Sequence, residues 1–349
     1  MKTTHYKYLF LVLISIFFTA CIEIEITTIL NPDGSMERIL EIKSDKKLKE
    51  FNELPFPVDS TWEISEQVDT AGEKKEYLYT IKKFYKNAAQ INLDYKNVPN
   101  SMSRIDRKVI VEKKFRWFYT YITYKEEYKK MAKLDYKPFT EYLTEQEKEI
   151  RKYEGNDSIE QILDIDSAEL KSIKKTVHDK SDKWFEDNIY TELIHAIDLD
   201  FKDFDIKSVS KKDIENQIDT IKWFTDSIGE NIQKKLYPFL DELFNTNELS
   251  QIANAEKSYV NQFEEDINYI LEQKEFKYKL IMPGLLIETN ASTIKAEELS
   301  WQVEPIEIYF NDTSHFAEAR MINTWAYVVS GVFILLVIIL LFISIFRKR

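Results

Sequence analysis

Glu192 and His195 stand in a Glu-x-x-His spacing inside a run of helical periodicity, which puts both side chains on one helix face. In helical bundles that pair contributes to di-iron centres, but such a centre needs a second copy and further carboxylates on facing helices. This chain holds one copy, so the pair is expected to be an ordinary helix-surface pair. Three acidic clusters are the other places where a cation could bind: Asp164 with Asp166, Asp198 with Asp200, Asp203 and Asp205, and Glu264 with Glu265 and Asp266. The segment DLDFKDFD from Asp198 to Asp205 lacks the glycine and closing glutamate of a calcium loop, so it is expected to end a helix. His178 and His315 lie alone among polar residues and read as surface side chains. No Gly-x-Ser-x-Gly elbow and no His-Glu-x-x-His occurs. Six glycines form no cluster that could cradle a phosphate. The residues thus assign no catalytic group, metal ligand or cofactor, and a non-enzymatic protein is expected.

The ends of the chain are more informative. Lys2 and Lys7 precede an apolar run, Tyr8 to Phe18, that closes on Thr19, Ala20 and Cys21. This is the layout of a signal peptide over residues 1–20. It resembles a bacterial lipoprotein signal with its lipobox, which implies that Cys21 is acylated and becomes the first mature residue. Cys21 is the one cysteine in the chain, so no internal disulfide forms and acylation removes the free thiol. Residues 325–346 carry no charge, and 22 residues of helix span about 33 Å, enough for a hydrocarbon core of about 30 Å. Trp325 and Tyr327 suit the outer interface, and Arg347, Lys348 and Arg349 suit the cytoplasmic face. The expected topology is an extracytoplasmic domain held to the inner or cytoplasmic membrane at both ends.

Of the 48 cations, five lie in these terminal segments, which hold no acid, so residues 21–324 carry 43 cations against 60 acids. That excess argues against nucleic acid or an anionic lipid surface as the main partner. Residues 21–133 read mostly as strands. Ile22, Ile24 and Ile26 alternate with polar residues, Asn31-Pro32-Asp33-Gly34 is turn chemistry, and further strands are expected at 61–68, 77–84 and 109–124. The last, with Phe115, Trp117, Tyr119 and Tyr121 on one face, is expected to be a central strand.

Residues 134–275 read as helices. Ile214 to Leu236 suggest one long helix before Pro238, Leu249 to Ile270 another, and Leu170 to Ile197 a third, broken near Ser181 with Ser181 or Asp182 as cap. Residues 276–310 return to strand character and 311–324 read as a juxtamembrane segment. The fold class is therefore α+β: a β-rich domain formed from both flanks, an inserted antiparallel helical region, and one C-terminal transmembrane helix.

The flanks resemble LppM-like bacterial lipoproteins. The resemblance rests on the lipobox followed by a strand and Asn31-Pro32-Asp33-Gly34, on Met282-Pro283-Gly284 with Thr289-Asn290-Ala291 and Trp301, and on the C-terminal apolar segment with its basic tail. It covers residues 18–45 and 276–349, and leaves the helical region unaccounted for. It implies a lipid-anchored, extracytoplasmic β-rich domain and no particular activity. The expected function is a scaffold that binds a partner protein at the membrane surface. Binding of a lipid or other apolar ligand is the alternative, favoured by a cavity along 115–124, and a carboxylate-dependent hydrolase is the third.

Overall fold

The computed structural model describes residues 22–48, 51, 54, 56–69, 75–97, 105–152, 159–272 and 275–347, so the signal peptide, Cys21, Lys348 and Arg349 lie outside the described residues. Strands β1 (Ile22–Leu30) and β2 (Met36–Ser44) form the expected hairpin. Its turn is fixed by Gly34 at φ 93° and by the Asp33 carboxylate, which accepts from the Ser35 backbone N–H at 2.9 Å. With β3 (Glu63–Asp69), β4 (Glu76–Tyr85), β7 (Phe276–Ile281), β9 (Thr293–Lys295) and β10 (Glu298–Val303) they build a seven-stranded sheet in the order β3-β4-β2-β1-β7-β10-β9. Strands β5 (Arg107–Arg116), β6 (Tyr119–Tyr128), β8 (Leu285–Thr289) and β11 (Thr313–Ile322) build a second sheet, β5-β6-β11-β8. Both sheets take strands from either side of the helical region, joined in the first by the parallel β1–β7 pair.

Three expectations for the flanks change. The single central strand over 109–124 is a hairpin, β5 and β6, turning at Trp117 and Phe118. Val109, Ile122 and Tyr124 point inward, whereas Phe115, Trp117 and Phe118 form the exposed tip, so the apolar character on both faces came from two different environments. Residues 311–324, expected as a juxtamembrane segment, are mostly strand, since β11 pairs along its whole length with β6. Helix α1 (Ala88–Asn97), unforeseen among the strands, covers the edge of β5. Its Asn92 side chain accepts from the Val109 N–H at 2.8 Å and donates to the Val109 carbonyl at 2.9 Å.

The helical region comprises α2 (Glu145–Lys152), α3 (Ile159–Leu163), α4 (Ser167–Asp203), α5 (Lys211–Asn216), α6 (Ile218–Ile228), α7 (Ile232–Phe244) and α8 (Tyr259–Glu272). Helix α4 runs 37 residues without a break at Ser181 or Asp182, and Asp166 caps it. The long helix expected before Pro238 is three helices, interrupted at Gln217 and again where Gly229 and Asn231 take positive φ. Pro238 sits inside α7. These helices are not a separate body. Trp184 of α4 packs on Phe139 and on Phe310 of helix α9 (Pro305–Phe310), and one hydrophobic core runs from the strands into the helices.

The two sheets face each other across a charged centre. Arg38 of β2 and Glu126 of β6 are fully buried, and Arg38 Nη2 donates to Glu126 Oε2 at 2.6 Å. Tyr95 of α1 donates to the other carboxylate oxygen at 2.7 Å, and Tyr124 to Oε2 at 2.8 Å. The Tyr124 and Tyr278 hydroxyls meet across the sheets at 2.6 Å, and Tyr278 reaches Thr28 at 2.7 Å. Both arginines, Arg38 and Arg107, lie 4.5 Å from the Phe56 ring centroid. Burial would raise the Glu126 carboxyl, but Arg38, Arg107 and the Tyr95 hydrogen bond outweigh it and hold it at about 2. Glu126→Gln strands a buried guanidinium and should lower stability by about 3–5 kcal/mol in urea titrations of the detergent-solubilised chain. Arg38→Met combined with Glu126→Leu should cost less than Glu126→Gln alone, because the desolvated charges leave together.

Candidate functional site

Of the carboxylates flagged for metal chemistry, Glu192, Asp166, Asp200 and Glu264 are occupied as helix caps and loop clamps. Glu192 is buried, and accepts from the Lys133 N–H at 2.5 Å and the Tyr136 hydroxyl at 2.6 Å, tying the loop after β6 to α4. That corrects its expected surface position. His195 lines a cavity of about 20 Å³ with Glu192, Asp266 and Tyr259, room for one water. Asp200 is fully buried and accepts from Ser258 Oγ at 2.7 Å, Tyr259 N at 2.7 Å and the Tyr237 hydroxyl, which caps α8 from the side of α4. Asp198 pairs with Lys202 at 2.7 Å, and Asp205 bonds Lys207 just past the helix end. Glu264 accepts from the N–H groups of Asn231 (2.6 Å) and Ile232 (2.8 Å) at the start of α7. Among the described residues no group of three or more His, Cys, Asp or Glu is placed to hold a metal ion.

His178 is exposed, 3.6 Å from Asp182. His315 is not a surface residue: it points into the sandwich from β11, stacked on Tyr278 at 4.7 Å and Trp301 at 5.0 Å between centroids. Burial lowers its imidazole to about 4, partly offset by the Glu126 carboxylate. The sequence signal for this was its inward parity with Ala317 and Ala319.

The remaining constellation joins the sandwich to the C-terminal helix α10 (Thr324–Arg347), which is long and apolar enough to cross a membrane. One residue, Asn323, separates β11 from α10. Its backbone N–H donates to the Phe118 carbonyl at 2.9 Å. Its side-chain Nδ2 donates to the carbonyls of Arg116 (2.9 Å) and Trp117 (3.2 Å), and its Oδ1 accepts from Thr120 Oγ1 at 2.9 Å. The whole β5–β6 turn is thereby bolted to the helix start. Trp117 Nε1 reaches Ser330 Oγ at 2.8 Å, more than a turn into α10.

Trp325 lies 6.2 Å from Phe115 and 5.4 Å from Trp117, and Tyr327 lies 4.7 Å from Phe118 and 6.4 Å from Tyr119. Trp325 and Tyr327 thus belong to an aromatic collar half supplied by the hairpin. Gly284 backs this junction: at φ 94°, a Cβ would stand 2.4 Å from the Arg320 carbonyl oxygen, so only glycine lets the β7–β8 turn close on β11. Arg347 ends α10, and is exposed.

No protein-family model, curated protein or solved structure matches this chain.

The His315 imidazole has its pKa below the ordinary 6.5, so the unfolded chain takes up a proton that the folded chain does not as pH falls from about 6.5 to about 4. Stability is therefore present above that window and lost within it, by roughly 3 kcal/mol for a shift of this size. Denaturant titrations at a series of pH values should show the loss in the native chain and a much smaller one in His315→Phe. Equal slopes in the two would remove His315 as the cause.

Proposed function

We propose that the chain is a non-enzymatic, membrane-anchored envelope lipoprotein of the LppM-like kind, whose extracytoplasmic domain scaffolds a partner protein at the membrane surface. In this reading Cys21 carries the acyl anchor, α10 spans, and Arg347, Lys348 and Arg349 lie on the cytoplasmic side. The observation that carries it is the Asn323 junction, whose four hydrogen bonds tie the start of α10 to the β5–β6 turn of the folded domain. A domain held in one orientation close to a bilayer meets other membrane proteins at a raised effective concentration.

Anchoring at both ends also sets a posture. The β1–β2 turn touches the hairpin, with the Lys113 amine donating to the Pro32 and Asp33 carbonyls at 3.2 and 2.9 Å. Ile22 therefore begins β1 at the opposite end of the strand, roughly 26 Å away at about 3.3 Å per residue. With Cys21 acylated, both ends of β1 approach the bilayer and the sandwich lies along the surface.

The apolar-ligand alternative is disfavoured because the space between the sheets is filled by the side chains around Arg38 and Glu126. The hydrolase reading is disfavoured because the flagged acids Asp166, Asp200 and Glu264 cap helices. The outward side of the helical region offers Trp223 of α6, 66% exposed, as a contact of the type that anchors protein interfaces. A photo-crosslinking amino acid at position 223 should give a discrete protein adduct in native membranes, whereas one at Lys108 on the outer sheet should not. No adduct from 223, or the same smear from both, would count against a partner on the helical region. Deleting that region is a poorer test, since it would open the shared core.

A further inference from the structure

The junction described above has more apolar surface and more positive charge than a covalent connection needs. Phe115, Trp117 and Phe118 are 56%, 47% and 39% exposed although they touch α10, and Leu285, Ile287 and Ile322 beside them are exposed as well. A soluble domain rarely leaves such a cluster to water. The charges around it run against the rest of the domain. Residues 113–122, 282–287 and 319–323, which meet at this end, contain Lys113, Lys114, Arg116 and Arg320 and no acid, in a region with 17 more acids than cations overall. Lys113 is turned onto the Pro32 and Asp33 carbonyls, and the Arg320 guanidinium lies 5.1 Å from the Tyr119 ring centroid. Lys114 and Arg116 are exposed. The acid-free stretch ends at Glu112, exposed on the same face of β5 two residues before Lys114; Asp33 is folded onto Ser35, and Glu288 and Glu318 lie farther up the sheet. Aromatic rings flanked by cations are what the headgroup layer of a bilayer accepts: rings sit at the interface, and cations at the phosphates.

We infer that the β5–β6 hairpin tip is a lipid-binding element in its own right, inserting Phe115, Trp117 and Phe118 into the outer leaflet and gathering anionic phospholipid headgroups on Lys114, Arg116 and Arg320. The inference rests on the reading that α10 spans. It departs, for this end of the molecule, from the expectation from net charge that anionic lipid is disfavoured. The occupant is fixed by continuity: Trp117 is hydrogen-bonded to Ser330 on the membrane helix, so whatever surrounds Ser330 also surrounds the indole.

The test uses the full chain in nanodiscs containing phospholipid brominated near the top of its acyl chains, a short-range quencher of tryptophan. Subtracting the emission of Trp117→Phe isolates Trp117, and subtracting that of Trp325→Phe isolates Trp325. The expected result is quenching of both. For Trp117 it should be stronger with brominated phosphatidylglycerol than with brominated phosphatidylcholine, and that excess should be lost in Lys114→Gln/Arg116→Gln. Quenching of Trp325 without Trp117 would overturn the inference and leave the spanning helix standing. Quenching of neither would overturn the spanning reading and the inference with it. Quenching of Trp117 without a preference for the anionic lipid would overturn the assignment of the cations.

Discussion

The ion pair between Arg38 and Glu126 is the point at which the two sheets share a single geometry. Burying two charges is expensive, and their attraction compensates only when every remaining donor and acceptor is placed. Here Tyr95, Tyr124, Tyr278 and Thr28 supply most of the set, drawing on β1, β2, β6, β7 and α1, and the Arg38 Nε is left buried without a partner. An inverted or slipped strand would leave one of these groups unpaired inside an apolar core. The pair therefore selects one register of one sheet over the other, more than it adds to stability.

Strand β6 carries that register outward. Glu126 lies near one end and Tyr119 near the other, and β11 pairs with β6 from Tyr128 to Tyr119 before passing through Asn323 into α10. The orientation of the membrane helix is thus set by the same strand that holds the buried carboxylate. The helical region hangs from the other end of β6, beyond Tyr128, and is fixed by carboxylates used as caps. Asp166, Asp200 and Glu264 each accept from two backbone N–H groups at or near a helix start. Part of the acid excess is accordingly architectural.

Much of the architecture was legible because burial leaves a period. The alternation in β1 and the 3.6-residue spacing in α4 marked those elements, and the uncharged stretch 325–346 marked α10. Breaks were less visible. Two strands with a two-residue turn, Trp117 and Phe118, read as one strand because neither residue is a usual turn former. Gln217 carries no helix-breaking signature, so α5 and α6 merged. The centre of the sandwich was legible in retrospect from parity: Arg38 falls among Met36, Leu40 and Ile42, and Glu126 among Ile122, Tyr124 and Tyr128, each a charge at an inward position. Their pairing was not legible, since 88 residues separate them and only the fold brings them together. Asn323 could not be recognised at all, because its partners, three backbone carbonyls and the Thr120 hydroxyl, belong to a turn about 200 residues away in sequence.

The hydrogen bonds at Asn323 make the folded domain and α10 move as one piece. Spin labels at Leu341 in α10 and Lys108 on the outer face of β5, in the full chain in nanodiscs, report it as a distance distribution. A narrow single peak that broadens in Asn323→Gly is the predicted result. A distribution in the native chain already as broad as that of the glycine variant would mean a free hinge at residue 323, and would contradict the account.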